Sequence, residues 1–171
     1  MPGTDESVKL FKEGAILFKE GKYERAVSTL SKAIELDPGF ELAYLTRGTA
    51  YMKSGEPSLA LGDFGKVMEL NPEHARAYHL RGLVNHSLGK DDEAINDFDR
   101  AIELNPEYGA GYLSRAKLHA ALGNDERARE DMAMVRHLGE KNVQEFADDH
   151  NILRSAYLGT EAEKGVEANE G

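Results

Sequence analysis

The chain is predicted to be an all-α solenoid: four helical hairpins in tandem, closed by a C-terminal capping helix. Three observations point there. First, the phrases Glu35-Leu36-Asp37-Pro38, Glu69-Leu70-Asn71-Pro72 and Glu103-Leu104-Asn105-Pro106 repeat with their prolines 34 residues apart. Second, that period aligns further positions: Leu10, Tyr44, Tyr78 and Tyr112; Gly14, Gly48, Gly82 and Ala116; Gly21, Gly55, Gly89 and Gly123; Ala26, Ala60, Ala94 and Ala128. Leu30, Phe64, Phe98 and Met132 follow, then Ala33, Val67, Ala101 and Val135. Third, each unit holds two amphipathic stretches separated by a glycine and polar residues. A fixed period of this length marks an array in which each unit buries its apolar face on its neighbours.

The elements follow in order. Residues 1–6 are polar and acidic and are expected to be disordered. Repeat 1 spans 7–40, with helices at 7–20 and 22–36; repeat 2 spans 41–74, with helices at 41–54 and 57–70. Repeat 3 spans 75–108, with helices at 75–88 and 91–104, and repeat 4 spans 109–142, with helices at 109–122 and 125–138. Gly21, Gly55, Gly89 and Gly123 suit the left-handed residue just past a helix end. Asp91 and Asn124 or Asp125 are expected to cap second helices, and Pro57 to sit in a first turn. Asp37, Asn71 and Asn105 are expected to cap the next helix, with the following proline in its first turn. In the fourth unit Glu140 replaces the proline after Gly139, so a glycine stop is expected there. A capping helix over 143–158 carries Val143, Phe146, Ile152, Leu153 and Tyr157, and the Glu-rich residues 159–171 read as a disordered tail.

These marks resemble the tetratricopeptide repeat, over about residues 7 to 142. The resemblance implies a right-handed superhelical solenoid of four tetratricopeptide hairpins, and a function in binding proteins rather than in catalysis. It also implies a concave groove lined by the first helix of each hairpin. Carried onto this chain, the groove residues are Phe11, Lys12, Phe18, Lys19, Leu45, Thr49, Met52, Lys53, Arg76, His79, Leu83, His86, Leu113 and Lys117. Val8, Ala15, Leu42, Thr46, Leu80, Ser87, Ala110, Ser114, Ala120 and Ala121 belong to the same wall. Five of the set are basic and none is acidic, although the chain has 31 acids against 21 bases. An apolar, mildly basic groove within an acidic outer wall favours an acidic or amphipathic protein segment. Some relatives in this family hold a terminal carboxylate with a Lys, Asn, Asn, Lys, Arg clamp. The corresponding places here are Phe11, Ala15, Thr46, Arg76 and Leu80, of which only Arg76 matches.

One further set concerns structure. Arg47, Arg81 and Arg115 align, as do Asp63, Asp97 and Asp131 sixteen residues later, while repeat 1 has Glu13 and Thr29 in those places. Because both partners are lost together, the pairs Arg47–Asp63, Arg81–Asp97 and Arg115–Asp131 are expected inside their own hairpins.

Composition narrows the remaining functions. The chain of 171 residues has no cysteine, which removes disulfides, thiolate catalysis and cysteine metal sites. A net charge of −10 disfavours nucleic acid as a partner, and no apolar run reaches the length of a membrane span. With no secretory signal at its N-terminus, the chain is expected to be cytoplasmic. His79, His86 and His119 lack both a carboxylate in their set and the four-residue spacing of helical zinc sites, so no metal and no cofactor are expected. No catalytic constellation is present. The functional expectation is a scaffold that binds a protein segment in its groove, the alternative being a self-assembling, homo-oligomeric structural subunit.

Overall fold

The computed structural model describes the backbone of residues 5–149 and the side chains as far as residue 142. Within these bounds the chain is helical throughout: α1 (Asp5–Lys19), α2 (Tyr23–Leu36), α3 (Glu41–Ser54), α4 (Pro57–Leu70), α5 (Ala75–Ser87), α6 (Asp91–Leu104), α7 (Gly109–Ala121) and α8 (Asp125–Asp149). They form four hairpins stacked in chain order as a solenoid. Helix α1 already begins at Asp5, so the last two residues of the segment expected to be disordered are helical.

Each hairpin turns at its glycine. Gly21, Gly55, Gly89 and Gly123 have φ of 75°, 82°, 73° and 78°, a left-handed conformation that a side chain would strain. The caps differ from the sequence expectation. Asp91 and Asp125 are the first residues of α6 and α8, where their charge meets the positive end of the helix dipole. Pro57 opens α4 as expected. Asp37, Asn71 and Asn105 end the second helices in extended conformation instead of starting the next ones. Their side-chain oxygens accept the N–H two residues on, from Gly39, Glu73 and Glu107 at 3.1, 3.1 and 3.0 Å. Such turns consume the following proline, and the next helix starts three residues beyond it.

The fourth hairpin departs further. The chain does not stop at Gly139; α8 runs unbroken from Asp125 to Asp149. The first part of the expected capping helix, 143–149, is therefore the continuation of α8, while 150–158 and the expected tail lie outside the described residues. Leu138 is buried and lies near Gly109, and Lys141 Nζ donates to Glu107 Oε1, so past Gly139 α8 stays beside the loop that leads into α7.

Close approach inside a hairpin depends on glycine. A Cβ on Gly14 would stand 2.7 Å from Leu30 Cγ; on Gly48 it would stand 2.7 Å from Phe64, and on Gly82 2.6 Å from Phe98. These distances are below van der Waals contact, so each glycine admits the large side chain opposite. Between hairpins, one cluster joins Leu45, Ala60, Phe64, Val67, Ala77, Leu80 and Val84. A second joins Leu17, Ala26, Leu30, Ala33, Ile34 and Ala43, and the third holds only Ala94, Phe98 and Leu118.

Curvature follows from which helices touch. Helix α1 contacts α3, α3 contacts α5 and α5 contacts α7, whereas the second helices make no comparable contacts with one another. Helices that crowd together lie on the inside of a bend. On the opposite side, cavities of about 490 and 350 Å³ open between successive second helices, one beside Leu61, Arg81 and Asp97, the other beside Ile95, Arg115 and Asp131. The first helices therefore line the concave face.

Candidate functional site

Each first helix turns one stripe toward its own second helix, one toward the neighbouring hairpin and one toward the concave face. Of the residues expected on that face, Lys12, Lys19, Lys53, Arg76, His86 and Lys117 are exposed. Phe11, Phe18, Thr49, Met52, Leu83 and Leu113 are half-buried. Phe11 stacks on Phe40 at 5.0 Å and Phe18 on Tyr23 at 5.7 Å. Thr49 Oγ1 donates to the Leu45 carbonyl at 2.7 Å. His86 Nδ1 lies 2.7 Å from Asp91 Oδ1, so an acid of a second helix reaches the rim of the groove.

Three residues assigned to the groove wall are not available on it: Leu45, Leu80, which shares Leu45's buried cluster, and His79. Leu45 is buried in the cluster between hairpins 2 and 3. His79 is buried between hairpins 3 and 4: its Nε2 is 2.9 Å from Ser114 Oγ and its Nδ1 3.0 Å from Tyr108 OH. Its ring also packs on Phe98 and Tyr108. Leu45 and His79 occupy the same repeat position, which the tight spacing of adjacent first helices turns into the joint. Burial, with the nearby Arg76 charge, pushes the His79 pKa down to about 4, so at neutral pH one ring nitrogen donates and the other accepts. Burial likewise raises the Tyr108 hydroxyl above its usual value.

Among the described residues, no carboxylate pairs with Lys12, Lys19, Lys53, Arg76 or Lys117. No group of three or more His, Asp or Glu side chains among the described residues is placed to hold a metal ion. Likewise, no helix among them is long and apolar enough to cross a membrane.

A ladder of arginines runs through hairpins 2 to 4, with Arg81 and Arg115 bordering the cavities between second helices. Arg47 donates from Nε and Nη2 to Asp63 at 2.9 and 2.6 Å. Arg81 reaches Asp97 at 2.5–3.1 Å, and Arg115 reaches Asp131 at 2.9 and 2.7 Å. Hydrogen bonding to these carboxylates raises each guanidinium pKa above its usual value. Every arginine also sits over the tyrosine three residues before it, at 5.6–5.7 Å. Sequence reading missed a third arm reaching the preceding hairpin. Arg47 Nη1 donates to Ser31 at 2.9 Å, and Arg115 Nη1 to Asp99 at 2.5 Å. The corresponding place beside Arg81 is Gly65, which offers nothing, and Asn85 Nδ2 instead donates to Asp97 at 2.9 Å. The signal was present: Ser31, Gly65 and Asp99 align on the 34-residue period, but they share no chemistry.

The geometry agrees with known proteins. Models of the repeat family match at two places, described as TPR repeat over residues 14–55 and as tetratricopeptide repeat over residues 75–108. The structure is similar to a crystal structure of MamA, at 26% identity and TM-score 0.75, covering 82% of each chain. It is also similar to a MamA from Desulfovibrio magneticus RS-1, at 26% identity and TM-score 0.72, covering 79% of this chain and 76% of that one. The first TPR of Spaghetti (RPAP3), bound to the HSP90 peptide SRMEEVD, is 29% identical with TM-score 0.66, covering 69% of this chain and 94% of that one. No curated protein matches the sequence. With the period, the hairpin geometry and these likenesses in agreement, the chain belongs to the tetratricopeptide-repeat proteins.

Proposed function

We propose that this protein is a non-enzymatic interaction scaffold that holds an acidic or amphipathic protein segment along the concave face of α1, α3, α5 and α7. The observation that carries this is the charge asymmetry. Among the described residues no carboxylate pairs with the exposed Lys12, Lys19, Lys53, Arg76 and Lys117, all on first helices of a chain whose net charge is −10. Unpaired bases on a concave wall attract a negative ligand and repel a basic one. The half-buried Phe18, Met52 and Leu83 supply apolar contact between them. The peptide held by the RPAP3 domain, SRMEEVD, has three acidic residues, which is the ligand chemistry assigned here. Only Arg76 matches the carboxylate clamp, so the segment is bound along its length and not by its terminus.

Fluorescence anisotropy with labelled acidic and basic peptides of equal length tests the reading. The acidic peptide should bind, more weakly as salt rises, and the triple change Lys19→Glu, Lys53→Glu, Arg76→Glu should reduce its affinity by at least about tenfold. Equal affinity for both peptides, or no response to the triple change, would sink the proposal.

A further inference from the structure

The two ends of the array expose opposite halves of one joint. At the inner joints Ala50, Val84 and Leu118 hold the same place on successive first helices and are at most 1% exposed. Val84 shares its cluster with Ala60 and Phe64 of the preceding hairpin, and Leu118 shares its own with Ala94 and Phe98. Ile16 holds that place on α1, and it is 57% exposed. At the other end Met132 holds the place of Leu30, Phe64 and Phe98, and it is 47% exposed where they are at most 1%. Beside Met132 lies a cavity of about 370 Å³ lined by Asp125, Ala128, Arg129 and Met132. Ala128 and Met132 are the counterparts of Ala60 and Phe64, the residues among which Val84 sits.

Charge points the same way, with its sense reversed. At inner joints an arginine of the following hairpin meets Ser31 or Asp99 of the preceding one. On α1 the place of that arginine is Glu13; on α8 the place of Ser31 and Asp99 is Ala133, with Arg129 and Arg136 about one helical turn to either side. One pairing opposes the match. Gly111 at the last inner joint approaches Ile102 closely, and their counterparts at the ends are Lys9 and Arg136. Glu140, one turn beyond Arg136, offers Lys9 an acidic partner.

We propose that a second copy of this chain docks its α1 on α8, seating Ile16 in the cavity beside Met132 and Glu13 between Arg129 and Arg136. The array then continues from one copy into the next. Different surfaces meet, so the contact is head-to-tail and leaves a free end on each side, and growth is open-ended unless the rotation closes a ring. One helix face on another is a small interface, so association is weak and depends on concentration. The competing occupant is the chain's own continuation, residues 150–171.

Sedimentation velocity on the full chain from micromolar to millimolar concentration is the test. The mean mass should climb past that of two chains. Ile16→Glu changes a side chain already in solvent, so circular dichroism should stay unchanged while the association constant falls at least about tenfold. Glu13→Arg should weaken association similarly, and Arg129→Glu with Arg136→Glu in that background should restore it. A full chain that keeps the mass of one copy at every concentration overturns the proposal, as does association indifferent to Ile16→Glu. Association that appears only after shortening the chain at residue 149 assigns the cavity to residues 150–171 and overturns it too. The groove change Lys19→Glu, Lys53→Glu, Arg76→Glu should leave association intact, so this proposal and the groove reading can fail separately.

Discussion

Single residues decide how closely the helices approach and how the hairpins are locked. The arginine ladder shows this best, because its three copies differ by one atom group. Arg115 spans Asp131 in its own hairpin and Asp99 in the preceding one, while Arg81 has Asp97 and faces Gly65. A Cβ on Gly65 would meet nothing within 4 Å, so there is room for the missing arm. Gly65→Asp should unfold at higher urea than Gly65→Asn, by about 0.5–1 kcal/mol, the worth of a partly exposed ion pair. That difference should vanish in an Arg81→Met background, which separates the pair from the general benefit of removing a helical glycine. The in-hairpin pairing was legible in the sequence because two columns of fixed chemistry vary together. The third arm was not, since its column reads Ser, Gly, Asp, and only the fold shows that all three stand before the same guanidinium.

Among the elements, α8 is the informative one. A glycine where the other units carry Asp or Asn, followed by Glu140 in place of their proline, reads as a stop, but a helix ends where its backbone finds other partners. The second helices α2, α4 and α6 each hand over to an Asx turn; α8 instead buries Leu138 near Gly109 and, beyond it, bonds Lys141 to Glu107 in the loop before α7. Gly139 has no positive φ and no neighbour within 4 Å of an added Cβ. Gly139→Ala should therefore stabilise the protein by about 0.5–1 kcal/mol in thermal or urea unfolding. A turn at this residue would make the same change destabilising.

For the whole molecule, stability is a sum over hairpins and the joints between them. The joints are unequal. Hairpins 2 and 3 share the largest buried cluster, while hairpins 3 and 4 share Ala94, Phe98 and Leu118 plus the polar contacts of His79 and Arg115. Amide exchange should therefore show α7 and α8 losing protection first and α4 and α5 last, and uniform protection along the array would contradict this picture. The concave face is also a property of the whole, since it exists only because first helices crowd together while second helices splay.

The sequence by itself determined the hairpin count, the period, the glycine turns and the intra-hairpin ion pairs. Each of these is a local pattern repeated in units that fold alike, so four copies make it visible. The tertiary structure alone decided that Leu45 and His79 lie in joints and not on the groove, that α8 runs through Gly139, and that Ile16 and Met132 stand uncovered at opposite ends. Those outcomes depend on which neighbour a repeat position meets. A first-helix residue is core when a hairpin precedes it and surface when none does, and nothing in the residue's own identity or spacing records the difference.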